Sequence, residues 1–245
     1  MTPVPGAHPP AAVHPGPSPC CGSGIFGAVE VTVRPDLVAA HDRAWQSLAE
    51  AGTWWSARQR RELAETAITA MWAGPDTAVR AREGVPTEAP LAAHRAVAAM
   101  ASGTPAITRE WWESTRDAVG ALEYVELVGL VCVVASVTSL QNTLGMPPRR
   151  LPAASDDGPT KVAPPGLADA TLNWVPVAAP ADANAAVVQA LTAVPAANEM
   201  LWSLADVQYI PDAEMVDPRW TRGTLSRVEM ELVATRVSFS RECHY

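Results

Sequence analysis

Thiols, imidazoles and carboxylates are the groups from which this sequence could build a reactive site, and they are sparse. Four cysteines occur: Cys20, Cys21, Cys132 and Cys243. A thiol peroxidase needs one thiolate to attack the peroxide oxygen and a second thiol close enough to resolve the sulfenic acid. A C-x-x-C at a helix start supplies both, because free backbone N–H groups there favour the thiolate; no such pair is present. Cys20 and Cys21 are adjacent, and with His8 and His14 they lack the spacing of a structural zinc site. Cys132 lies inside the apolar run LVGLVCVVASV and reads as a small core side chain. His94 reads as a surface or locally paired residue, His41, beside Asp42, as a surface residue, and Glu62 as a solvated helix residue or a remnant polar site. No phosphate-cradling glycine loop, H-E-x-x-H or G-x-S-x-G is found. Neither a metal nor a cofactor is expected.

The elements that must position these residues read as helices. Alanine is abundant, Phe and Tyr are scarce, and β-branched residues form no repeated alternating runs, a balance that favours helix. Residues 1–28 are rich in Pro, Gly and Ala and are expected to be a disordered tail. Helices are expected over about 35–52, over 57–73 behind a Ser56/Gln59 capping box, and then over about 90–101, 108–119 and 121–144. Residues 146–182 hold eight prolines and read as a linker or an irregular strap, with Trp174 pinning it to a core. Helix returns over about 184–207, broken near Pro195, and again behind Ser226/Glu229.

With 18 Lys and Arg against 26 Asp and Glu, the net charge of -8 gives no general attraction to nucleic acid or anionic membrane. The apolar run 127–137 is short of the roughly 20 residues of a membrane span, so a buried helix is expected. The N-terminus lacks a basic region followed by an apolar core, which points to the cytoplasm.

Setting Glu62 against Glu231 aligns ELAETAITAMWAGPD with ELVATRVSFSRECHY. Leu63 meets Leu232, Thr66 meets Thr235 and Ile68 meets Val237, which reads as an internal repeat. Residues 225–245, LSRVEMELVATRVSFSRECHY, resemble the start of the signature of the alkylhydroperoxidase AhpD-like, or carboxymuconolactone decarboxylase-like, family. In that family the signature runs from Glu-Leu through a short helix to Cys-x-x-Cys and a histidine.

The resemblance implies an all-α fold, an AhpD-like helical bundle of tandem related units over 29–148 and 183–245, joined by 149–182. It implies that Glu231 is the glutamate of the proton relay and Cys243 the resolving cysteine. The attacking thiol would fall just after Tyr245, and in the first unit Gly74 and Thr77 stand at the two cysteine positions. The redox site is therefore expected to be incomplete. Glu242 beside Cys243 disfavours the thiolate, so that thiol is expected to titrate near the ordinary value of about 8.5. The implied activity is thiol-dependent peroxide reduction, with a thiol reductant as partner if a complete site exists. The alternatives are a non-enzymatic helical interaction or oligomerisation protein, and carboxymuconolactone-type lactone chemistry. A homo-oligomer is expected.

Overall fold

The structure is a computed structural model that describes residues 32–103, 107–169, 172–179, 183 and 185–240. The 1–28 tail, Cys20, Cys21 and Cys243 lie outside them. The described residues from Val33 onward form one compact unit. Its described residues are mostly helical and contain no strand, only isolated bridges such as Ala168 with Val177.

Local sequence explains where the helices begin and end. α1 (Pro35–Ser47) carries Pro35 in its first turn, where a missing N–H costs nothing. α2 (Ala57–Ala73) opens on a complete capping box, with the Gln59 N–H donating to Ser56 Oγ and the Ser56 N–H donating to Gln59 Oε1. It stops at Gly74, and Pro75 starts the short α3 (Pro75–Arg80), which the sequence reading did not contain. α4 (Leu91–Ser102) follows. α5 (Arg109–Val119) is capped by the Thr108 side chain, which accepts from the Trp111 N–H. α6 (Ala121–Thr143) is apolar on every face, α7 (Ala186–Gln189) is a single turn, and α8 (Pro195–Gln208) again starts on proline. α9 (Arg227–Ser240) is headed by Ser226 and Glu229, which bond reciprocally.

A helix that is hydrophobic all round belongs inside, and α6 packs against α1, α2, α4, α5 and α8. By length and composition it could also cross a membrane, and over half of its most apolar window is buried. The core joins Trp45 and Leu48 of α1, Leu63 and Ala67 of α2, Ala93 and Val97 of α4, and Leu127 and Val134 of α6. Leu204 of α8 joins that same core. Small residues set the spacing: a Cβ on Gly129 would lie 2.7 Å from the Ala197 Cβ, so glycine permits this close crossing of α6 and α8.

Residues 149–161 run as a strap over α1 and α2. Arg150 and Pro152 carbonyls accept from Trp45 Nε1 and Arg61 Nε, each at 2.9 Å, and the Lys161 N–H donates to Thr53 O at 2.8 Å. Trp174, farther along the proline-rich stretch, lines a cavity of about 350 Å³ with Trp112, Tyr124 and Val125. It is 45% exposed, with the Arg109 guanidinium 5.1 Å from its ring centroid.

Candidate functional site

α2 and α4 make the most extensive helix pair, and a chain of polar groups crosses it. Arg82 Nε donates to Thr66 Oγ1 at 3.2 Å, and Thr66 Oγ1 lies 2.8 Å from His94 Nδ1. The other imidazole nitrogen, Nε2, is buried without a hydrogen-bond partner and stands 3.7 Å from Glu62 Oε2. That separation is too long for a hydrogen bond but leaves the two groups in electrostatic contact. Thr66 Oγ1 also stands 3.3 Å from the Glu62 carbonyl oxygen, so its single proton goes either to that carbonyl or to Nδ1, and the His94 tautomer follows from that choice. Burial, with the Arg82 charge adding to it, holds the His94 imidazole below its ordinary value against the pull of Glu62.

Glu62 is therefore not a solvated helix residue. Its Oε2 accepts the backbone N–H groups of Glu88 at 2.8 Å and Ala89 at 3.0 Å, tying the entry to α4 onto α2. Its carboxylate lines an open basin of about 610 Å³ together with Arg58, Arg61, Glu65, Arg82 and Glu88. The basin offers no nucleophile, since Thr66 is 1% exposed. Cys132 is half-buried on α6, and burial pushes its thiol up, away from the thiolate a redox site requires.

His94 and His41 both correct the expectation of surface histidines. His94 is fully buried, and His41 is 5% exposed with its Nε2 2.8 Å from Gln208 Nε2. A signal was available for His94: it lies on the same side of α4 as Val97 and Ala98, three and four residues on, and both are buried.

A second charged pair, absent from the sequence reading, lies between α2 and α6. Arg60 Nη1 donates to Glu126 Oε1 at 2.7 Å, and Glu126 Oε2 accepts the Trp54 N–H at 2.7 Å. The side chains are 13% and 2% exposed. A Cβ on Gly52 would lie 1.8 Å from Glu126 Oε1, so glycine lets the 48–55 loop close over the carboxylate. The pair borders a cavity of about 400 Å³ between α1, α6 and α8, whose other wall includes Leu130, Val133 and Met200.

Of the two residues that the family resemblance singled out, Cys243 lies outside the described residues. Glu231 sits in the second turn of α9. Its carboxyl is held below the usual carboxylate range by the Tyr209 hydroxyl and by Arg227, whose Nε donates at 2.7 Å. The side chain is 44% exposed. α9 touches the body through Met230, which is buried, through Glu231 at the Tyr209 hydroxyl, and through Arg227, which also donates to Met215 O at 3.1 Å. The rest of its apolar residues face outward. Val228 is 77% exposed, Leu232 70% and Phe239 75%. Among the described residues, no group of three or more His, Cys, Asp or Glu side chains is placed to hold a metal ion.

No protein-family model, curated protein or solved structure matches this chain.

Proposed function

We propose that this chain is a non-enzymatic helical interaction or oligomerisation protein and that α9 is its docking element. The observation that carries the reading is the outward apolar seam of α9. Within α9, Val228, Leu232 and Phe239 recur at spacings of four and seven, a pattern by which one helix packs against another. Contiguous exposed apolar surface on an otherwise acidic chain marks an interaction site. The test is hydrophobic-interaction chromatography of the dilute full chain against a Leu232→Glu/Phe239→Glu variant. Both should fold alike by circular dichroism, since both positions are exposed, and the variant should elute much earlier. Equal retention would overturn the reading.

A second reading keeps the AhpD-like resemblance, with two related units and thiol-dependent peroxide reduction as the ancestral chemistry. One observation favours it: Glu62, the repeat counterpart of Glu231, is a shielded carboxylate set against a buried histidine. The full chain would then consume an organic hydroperoxide with a dithiol supplying the electrons, and Glu62→Gln would slow it. No consumption above the uncatalysed rate would remove this reading and leave the first untouched.

A further inference from the structure

α9 presents three things at once: an exposed apolar stripe, an asymmetric distribution of charge, and body contacts through Met230, Arg227 and Glu231 that leave that stripe exposed. On a helix at 100° per residue, Val228, Leu232, Thr235 and Phe239 fall on one stripe, Met230, the buried residue, falls nearly opposite, and the exposed Val233 and Val237 lie on the Met230 side. Among the described residues the stripe is unpartnered, and Glu231, bonded to the Tyr209 hydroxyl, borders it. The stripe has the three-four alternation of a two-helix seam, in which apolar residues recur every 3.5 positions.

The charges beside the seam name an occupant. Glu229 and Arg236, seven residues apart, lie along the same edge of the stripe. Glu229 uses Oε2 on the Ser226 N–H and hydroxyl, which leaves Oε1 facing solvent. Arg236 lies 5.8 Å from the Phe239 ring centroid and makes no ion pair among the described residues. Arg227, by contrast, is committed to Glu231 and to backbone carbonyls. The helix therefore offers an anion near its start and a cation near its end on one edge.

We infer that the occupant of this seam is α9 of a second copy of the chain, packed antiparallel. The inference rests on the reading of α9 as a docking element. Reversing a second α9 sets Val228 against Phe239 of the other copy and Leu232 against the Thr235 methyl. In the same register Glu229 faces Arg236 of the second copy, and the two-fold symmetry repeats each contact. A parallel pair would instead place the two Glu229–Arg236 edges on opposite sides of the seam and set Arg236 against Glu231 of the other copy, a carboxylate already committed to Arg227 and the Tyr209 hydroxyl. The uncommitted Oε1 of Glu229 therefore favours the antiparallel arrangement.

Sedimentation velocity of the full chain over a range of concentrations tests this. The wild type should show a reversible monomer–dimer equilibrium, and Leu232→Glu should remain monomeric with an unchanged circular dichroism spectrum. Arg236→Glu should weaken the dimer about tenfold or more, because each of the two flanking attractions becomes a repulsion. Adding Glu229→Gln should recover part of that loss, since an amide still caps the helix as Gln59 caps α2. Glu229→Gln alone decides the orientation: it weakens an antiparallel dimer, in which Glu229 faces Arg236, and leaves a parallel one unchanged. A dimer indifferent to Glu229→Gln, or dimerisation indifferent to Leu232→Glu, would overturn the inference. A chain that stays monomeric at every concentration would overturn it too. If α9 still governs retention on an apolar resin in that last case, the docking element stands and only its occupant is wrong.

Discussion

α2 and α9 carry the same local text and live in opposite environments. Each follows a serine-headed capping box, and each contains Glu-Leu-x-x-Thr, as Glu62-Leu63 to Thr66 and Glu231-Leu232 to Thr235. In α2 the leucine and threonine are 0% and 1% exposed, and the glutamate closes a polar chain with His94. In α9 the leucine is 70% exposed and the glutamate is paired at the surface with Arg227. The difference lies in the neighbours: α2 has α3, α4 and α6 packed on it, whereas none of the extensive helix packings involves α9. Local pattern chooses helix in both places, and burial is decided by what the rest of the chain brings alongside.

The largest contrast should come from the two Arg–Glu pairs. Arg60→Met leaves Glu126 charged and 2% exposed without its partner, and should cost about 3–5 kcal/mol in urea unfolding. Arg227→Met frees a carboxylate that is already 44% exposed, and should cost about 1 kcal/mol or less. Adding Glu126→Leu to Arg60→Met should recover much of the loss, since a well-packed apolar pair replaces a buried ion pair at little cost. Equal effects of the two arginine substitutions would show that α9 is as deeply embedded as α2.

Truncating the aligned leucines gives the next contrast. Leu63→Ala removes packing at a fully buried site and should lower stability by about 2–5 kcal/mol. Leu232→Ala should stay within about 0.5 kcal/mol in dilute protein, where α9 is unpartnered. A large loss at Leu232 would place that side chain in a core and remove the basis for docking.

The reach of sequence reasoning follows the same division. Helix positions were legible because caps and stops are local: Ser56 with Gln59, Gly74 with Pro75, and Ser226 with Glu229 all act within a few residues. The all-helical character was legible for the same reason. α3 was missed because the Gly-Pro step that ends α2 also hides a helix of only six residues. The buried Arg60–Glu126 pair was invisible, since 66 residues separate its members and no spacing announces so long-range a contact. His41 and His94 were misplaced because Asp42 and Arg95 beside them suggest solvent, while helix face, not adjacency, sets burial.

Acid sensitivity separates the two regions by window. Burial lowers the pKa of His94 and His41 from the ordinary value near 6.5, so the unfolded chain binds protons that the fold resists. Their contribution is fully present above about pH 6.5 and is lost as the pH falls through their lower folded values. Glu229 and Glu231 are also depressed, from 4.5, by Ser226 and by Tyr209 with Arg227 respectively, so what they add is lost only below that value. The urea midpoint should therefore begin to fall below about pH 6.5, before the carboxylates of α9 titrate. His94→Gln should shrink that first step to the His41 share and leave the second. A midpoint that rises between pH 6.5 and 5 would contradict the burial of both imidazoles.

The smallest expected difference lies in the two capping boxes. Ser56 and Ser226 each accept the N–H three residues on, at 3.3 Å, so their local chemistry is the same. Replacing an N-cap serine by alanine costs the helix about 1 kcal/mol. α2 cannot fray without opening the core at Leu63 and Ala64, so Ser56→Ala should pass that cost into global stability and lower the unfolding midpoint. α9 touches the body mainly at Met230, Arg227 and Glu231, so Ser226→Ala should leave the global midpoint in place. Its effect should appear as about fivefold faster amide exchange along 227–240, the local equilibrium that 1 kcal/mol shifts. If a second copy covers the seam, raising the protein concentration should suppress that faster exchange in the wild-type and Ser226→Ala chains alike, and should leave exchange in α2 unchanged.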